Sequence, residues 1–299
     1  MADRSTRGGP PPARGPVRSR LAGASGRGPT PSAAQPDARS EPRPEPRPEP
    51  RPEPLRIAGM QAVRALFAAD PESVLRLYFD ARTAPHAGDL SRSMAQTRRP
   101  YRLVEPEELA KLAGSVHHGG IVAVARPRPV PDLDPKAALD WAADGAPLLV
   151  LDGVGNPHNL GAIARTAAFF GLPRILLSDH PAQAMPSDSA YRVSEGGLFA
   201  VGIWRARGLA DSLRILRERY LVVGTALERG RPFERFPAGP KPIALVLGNE
   251  ETGIPAATLE ACNAVVRIPG AGAVQSLNVS ATAAVLAWEL ARRRGGPSS

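Results

Sequence analysis

Three stretches of the chain place polar side chains and glycines directly after apolar runs. In "VLDGVGNPHNLGAIARTAAFFG" a strand-like run ends at Asp152, a polar loop follows, and an apolar helix carries Asn159 and an embedded Arg165. The guanidinium offers five donors in a rigid fork, which suits a phosphate or carboxylate. In "ALVLGNEETGIP" a buried-type run leads into Gly248, Asn249 and Glu250, with Gly253 following; glycines there let a ligand approach the backbone. In "IPGAGAVQSLNVSATAAVLAWEL" a run ends at Ile268 and Pro269, a flexible turn follows, and Ser276, Leu277 and Asn278 stand where a helix begins. Backbone groups of such a segment can line a pocket for a small polar ligand. Taken alone, Asn159 reads as a helix cap, "GNEETG" as a plain strand-to-helix turn, and Asn278 as another cap. No Gly-Lys-Ser/Thr follows any of these runs, and no G-x-G-x-x-G follows a strand, so nucleoside triphosphate and dinucleotide sites lose their main support.

These stretches need a scaffold that gathers strand ends. From about Asp144, "PLLVLDG", "NLGAIARTAAFFG", "RILLSD", "SDSAYRVSEGG", "LFAVGIWR", "LADSLRILRERY", "LVVGTALE", "PIALVLGNE" and "AVVRIPG" alternate between strand and helix before the last helix. Alternating units imply a mostly parallel sheet covered by helices, with ligands bound beyond the C-terminal strand ends. Before it, "IAGMQAVRALFAAD" reads as a helix, "SVLRLYFD" as a strand, "LSRSMAQTRR" as a helix, "YRLVE" as a strand, "EPEELAKLAG" as a helix with acids in its first turn, and "GGIVAVARP" as a strand. The expected organisation is a tail over 1–54, a small α/β domain over 55–128, a linker over 129–145 and the larger domain over 146–299. The tail ends in a Glu-Pro-Arg-Pro repeat, Glu41 to Pro54. Proline at alternate positions removes backbone donors and fixes φ, so the tail is expected to be disordered, extended and solvated. It reads as a solubilising segment or as an arm for nucleic acid or a partner.

Composition narrows the function. The 299 residues carry a net charge of +9, which favours a polyanionic partner such as nucleic acid. The tail holds 10 arginines and 6 acids, so the remainder is only mildly basic. The single Cys262 permits no disulfide framework and no Cys-based metal site; it reads as a small packed residue. No metal site is expected. The longest apolar runs fall short of the ~20 residues of a membrane helix, and the Arg/Pro/Gly-rich start is unlike a signal peptide. A cytoplasmic location is expected. His117 and His118 read as a turn before a strand.

Together, in this order and spacing, the three stretches resemble the signature motifs of the SpoU (TrmH) family of RNA ribose 2′-O-methyltransferases, over roughly residues 146–293. Residues 55–128 resemble the ribosomal-protein-like substrate-binding domain that precedes the catalytic domain in part of that family. The resemblance implies an α/β SPOUT domain whose parallel sheet ends in a deep trefoil knot, with S-adenosylmethionine bound in the knot. By the motif match, Gly248, Ile268 and Leu277 would contact the cofactor, with Leu247, Asn249, Gly253 and Pro269 around them. Arg165 and Asn159 match the catalytic residues of the first motif, and Glu250, Ser276 and Asn278 the other polar residues of the active site. It implies a homodimer with the site completed across the interface, and tRNA or rRNA as substrate. "YRVSEGG" (Tyr191 to Gly197) takes the place of a loop near the substrate. The alternative is an RNA-binding or ribosome-assembly protein that keeps the fold without catalysis.

Overall fold

The structure, a computed structural model, describes residues 53–226, 230–237 and 239–294. All but the last two residues of the expected tail lie outside that span. Two sheets make up the described chain, and both belong to one compact unit.

The first sheet is mixed, in the order β1-β4-β2-β3. It comprises β1 (Leu55–Ala58), β2 (Val74–Phe79), β3 (Tyr101–Leu103) and β4 (Ile121–Ala125), with α1 (Met60–Ala69), α2 (Gly88–Gln96) and α3 (Pro106–Ala113) between them. β4 is antiparallel to β1 and β2, while β2 and β3 run parallel. The helical reading of "IAGMQAV" holds only from Met60. Leu55–Ala58 pairs with Ala125–Val122 instead, and Gly59 at φ 96° turns the chain into α1. Pairing in the sheet overrides the local apolar pattern there. α3 follows its signals closely: Pro106 opens it, Glu107 and Glu108 fill its first turn, and Gly114 at φ 62° ends it. The segment expected as a linker is anchored rather than loose. Leu133 N donates to Arg205 O at 2.7 Å, and the 3₁₀ turn Ala137–Asp144 sets Trp141 against Trp204 with centroids 4.5 Å apart and planes tilted by 48°.

The second sheet has seven parallel strands in the order β7-β6-β5-β10-β8-β11-β9. They are β5 (Leu148–Asp152), β6 (Arg174–Leu177), β7 (Gly202–Arg205), β8 (Leu221–Thr225), β9 (Arg231–Pro232), β10 (Ile243–Gly248) and β11 (Ala264–Arg267). The helices are α4 (Pro157–Phe169), α5 (Asp188–Ser194), α6 (Gly197–Ala200), α7 (Leu209–Leu216), α8 (Ala256–Ala261) and α9 (Val279–Arg293). β5 and the first five residues of β10 are wholly buried, as expected of strands covered on both faces. Leu149, Leu151, Leu245 and Leu247 pack on the side of α4 and α9, whereas Leu148, Val150, Ala244 and Val246 pack against Leu213, Leu216 and Tyr220. "LFAVGIWR" divides into α6 and β7, because Gly197 lets the chain lie flat on the backbone of α4 and build one helical turn there. The small domain shares the core of the α4 side. It is tied to α5 by Arg56 N donating to Asp188 Oδ1 at 3.0 Å.

α9 is fastened by a buried acid. Glu289 accepts hydrogen bonds from Arg292 and Arg293, and Arg293 also donates to the carbonyls of Phe233 and Phe236. The Arg292 hydrogen bond, with Arg293 beside it, holds the Glu289 carboxyl below the usual carboxylate range. Its contribution is therefore full above the unfolded carboxylate value of about 4.3 and is lost as pH falls through the depressed folded value. Glu289→Gln is expected to cost about 2–3 kcal/mol at pH 7, with the gap to wild type closing below about pH 4. Urea denaturation across that range measures it; a gap independent of pH would contradict the account.

Among the described residues no helix is long and apolar enough to cross a membrane, and no group of three or more His, Cys, Asp or Glu could hold a metal. Cys262 donates to Thr258 O, and burial pushes its thiol up to about 11, in keeping with a packed residue.

Candidate active site

β5 and β10 are neighbours in register, so Asp152 lies opposite Gly248. β6 and β7 continue from β5 on one side, and β8 and β11 from β10 on the other. The crevice at such a reversal of strand order, beyond the C-terminal ends, is where open α/β sheets bind ligands.

The loop after β5 is built by side chains from elsewhere. Gln183 Oε1 accepts from Gly153 N (3.0 Å) and Val154 N (3.2 Å), while its Nε2 donates to Val154 O (3.2 Å) and Ala184 O (3.0 Å). All of these bonds are buried. Gln183→Leu is expected to leave those groups unsatisfied and to cost about 3 kcal/mol in denaturant unfolding; an unchanged midpoint would show that the loop holds without them. α4 then starts with Asn156 as N-cap, its Oδ1 accepting from His158 N at 2.8 Å, and Pro157 as first residue. The cap that Asn159 alone suggests thus belongs to Asn156. Asn159 is buried one turn later, and its Nδ2 donates to Glu250 Oε1.

The loop after β10 closes on itself. Asn249 and Gly253 exchange backbone hydrogen bonds of 3.0 Å in both directions, with Gly253 at φ 72°. Asn249 Oδ1 accepts from Glu251 N (2.9 Å) and Thr252 N (3.1 Å), and its Nδ2 donates to Gly153 O (2.8 Å). The Asn249 side chain is therefore spent on joining the two loops. A Cβ on Gly248 would lie 2.4 Å from the Gly253 carbonyl carbon and 2.5 Å from Ile254 N. Leu247 is fully buried in the core, so only its backbone reaches the strand end.

The third segment is of another kind. Ile268 packs against the core, and residues 269–278 are exposed and irregular, with Val274 82% and Leu277 52% exposed. Asn278 is the N-cap of α9, its Oδ1 accepting from Ser280 N (2.8 Å) and Ser280 Oγ (2.6 Å). Ser276 is exposed two residues earlier. Arg165 lies six residues beyond Asn159 on α4, about 240° around the helix, so it leaves on another face. Its Nη1 pairs with Glu195 Oε1 at 3.0 Å. One chain thus brings Asn159, Glu250, Asn249, Gly248 and Gly253 together and leaves Arg165, Ser276 and Leu277 open to something outside it.

The chain resembles known families and relatives. Residues 146–288 match the model of the SpoU rRNA Methylase family, and residues 56–131 match that of the RNA 2′-O ribose methyltransferase substrate-binding domain. The 23S rRNA (guanosine-2′-O-)-methyltransferase RlmB of Nitrosomonas europaea is 34% identical over 240 residues, covering 79% of this chain and 91% of that protein. The chain belongs to the SpoU methylase family. It is also 33% identical over 235 residues to the uncharacterized tRNA/rRNA methyltransferase YfiF of Escherichia coli, covering 78% of this chain and 67% of that one. A crystal structure of an RNA 2′-O ribose methyltransferase superposes with a TM-score of 0.63 at 25% identity, over 81% of this chain and 89% of that one. The fold of AviRb from Streptomyces viridochromogenes, solved in complex with AdoMet, superposes at 0.65 with 23% identity, over 81% and 90%.

Two residues that shape this candidate site, Asn156 and Gln183, were not singled out from the sequence, and Glu195 was covered only as part of "YRVSEGG". Asn156 had a usable signal, an Asn-Pro pair opening an apolar helix. Gln183 had none, since the loop it builds lies 29 and 30 positions away, and nothing local to "YRVSEGG" pairs Glu195 with Arg165.

Proposed function

We propose that the protein transfers a methyl group from S-adenosylmethionine to a ribose 2′-hydroxyl of ribosomal or transfer RNA. The observation that carries this reading is the double tie between the loops after β5 and β10: Asn159 to Glu250, and Asn249 to the Gly153 carbonyl. It sets the first two family motifs side by side at the switch point of the sheet.

The residues present fit the cofactor. Gly248 offers a strand end without a side chain, and the irregular 268–278 segment presents main chain together with the exposed apolar Val274 and Leu277. Gly248, Ile268 and Leu277 would hold it, with Leu247, Asn249, Gly253 and Pro269 around them. S-adenosylmethionine supplies an electrophilic methyl group on a sulfonium sulfur. The ribose oxygen must lose its proton as it attacks in line, so orientation carries much of the rate. Arg165 binds an RNA phosphate and offsets the negative charge that develops on the 2′-oxygen; a guanidinium keeps its proton and is a poor proton acceptor. Glu250, oriented by Asn159, is a carboxylate placed to hold the hydroxyl hydrogen, and Ser276 and Asn278 complete the polar wall.

The C-terminal segment would form the deep trefoil knot of the family, and the protein would act in the cytoplasm as a homodimer. Support for the dimer comes from α4 and α9, which pack together and expose Phe169 (82%) and Trp288 (54%), with Val285 one turn before Trp288. Arg165 stands one turn before Phe169 on the same face of α4, so a second copy covering that face would meet Arg165. Relatives named for 23S rRNA make ribosomal RNA the first substrate to test. Incubation with methyl-labelled S-adenosylmethionine and ribosomal RNA, followed by nuclease digestion and mass spectrometry, should yield a 2′-O-methylnucleoside. Label on a base would overturn the reaction, and cofactor binding without transfer would favour a non-catalytic RNA-binding protein.

A further inference from the structure

We infer that Glu195 is a specificity-determining residue for the RNA: its carboxylate offsets the charge of Arg165 until a correctly seated phosphate displaces it. The inference rests on the reading of Arg165 as the phosphate contact. Glu195 follows α5 and has φ 46°, ψ 41°, a left-handed conformation that glycine would adopt at less cost. The two glycines that follow it are closely packed. A Cβ on Gly196 would lie 2.7 Å from Ala65 Cβ of α1, and one on Gly197 would lie 2.7 Å from Arg165 Cα. The turn is wedged between the small domain and the very residue of α4 that Glu195 pairs with. The ion pair joins Arg165 Nη1 and Glu195 Oε1 at 3.0 Å, with both side chains at least half exposed. It can therefore exchange with an incoming anion. Every RNA phosphate that reaches Arg165 must displace the carboxylate at the same cost, so RNA held by few other contacts falls below useful affinity while RNA held by many stays bound. Discrimination comes from weakening the wrong complex.

A double-mutant cycle on the full chain tests this, read as anisotropy of a labelled oligouridylate. Glu195→Gln is expected to tighten binding about three- to tenfold and to steepen the slope against log salt by about 0.7, one phosphate of a single strand. In an Arg165→Ala background the same change should do nothing. Glu195→Gly, which suits the left-handed turn, should tighten binding equally, with a melting temperature no lower than wild type. Equal tightening in both backgrounds would reduce Glu195 to general surface charge and overturn the inference. So would no tightening at all, or a lower melting temperature of Glu195→Gly with unchanged affinity. Methyl transfer by the same wild-type sample is scored separately. If the coupling appears without transfer, the enzymatic reading fails and the role of Glu195 stands; transfer without the coupling gives the reverse.

Discussion

Arg165→Ala is expected to lower methyl transfer to RNA by about 10²- to 10³-fold, the range seen when one charge-stabilising donor is removed from a transition state. The side chain is exposed, and its recorded ion-pair partner, Glu195, is itself half exposed, so folding should be indifferent to its loss. Surface ion pairs of this kind contribute about 0–1 kcal/mol. Cofactor affinity should also hold, because Arg165 leaves α4 on a different face from Asn159 and is not joined to the loop after β10. The expected pattern is a large fall in kcat, an unchanged melting temperature and an unchanged Kd for S-adenosylmethionine. Arg165→Lys should restore little, since an ammonium lacks the planar fork. Single-turnover assays with a saturating cofactor concentration separate these quantities. An Arg165→Ala protein with near wild-type turnover would remove the phosphate and oxyanion role assigned to this residue.

Gly248→Ala should fail for the opposite reason. The added Cβ would meet backbone, at 2.4 Å from the Gly253 carbonyl carbon and 2.5 Å from Ile254 N, rather than the end of a flexible side chain. The loop over 249–253 cannot yield easily. It is closed by the two Asn249–Gly253 backbone bonds and fastened to Gly153 by the Asn249 side chain. Moving it disturbs the strand end proposed to hold the cofactor and draws Glu250 away from Asn159. The expected result is a loss of S-adenosylmethionine affinity of at least about 100-fold, beyond 2.7 kcal/mol, with about 2–4 kcal/mol of stability lost as well. Isothermal titration of the cofactor measures the first and denaturant unfolding the second. Cofactor binding at wild-type affinity would place the binding loop elsewhere. The two substitutions thus divide the site: one is expected to cripple transfer and spare the cofactor, the other to weaken both.

Much of this arrangement was legible before any coordinates. Buried strands such as "LLVLD" and "IALVLG" declare themselves by uninterrupted apolar residues, and the polar groups that follow them mark the strand ends where a ligand must sit. The order of the strands was not legible. Nothing local tells β10 to insert beside β5, yet that pairing sets Gly248 opposite Asp152. The same limit explains β1, whose apolar residues continue a helical pattern until Gly59 breaks it. Individual roles divided in a similar way. The sequence marks Asn159 and Glu250 as candidate site residues, but that one donates to the other depends on segments 91 positions apart. Asn249 reads as a residue beside the cofactor, and its side chain also ties two loops together. Glu195 lies in the "YRVSEGG" stretch that reads as a loop near the substrate, but its pairing with Arg165 depends on the close approach of Gly197 to α4.

The central claim is ribose methylation of RNA by this site, and ribose-methylation mapping of total RNA from cells with and without the gene tests it most directly. The account predicts that one 2′-O-methyl position disappears from ribosomal or transfer RNA without the gene. It should return with the wild-type protein and stay absent with Arg165→Ala. An unchanged methylation map, or rescue by Arg165→Ala as complete as by wild type, would contradict it.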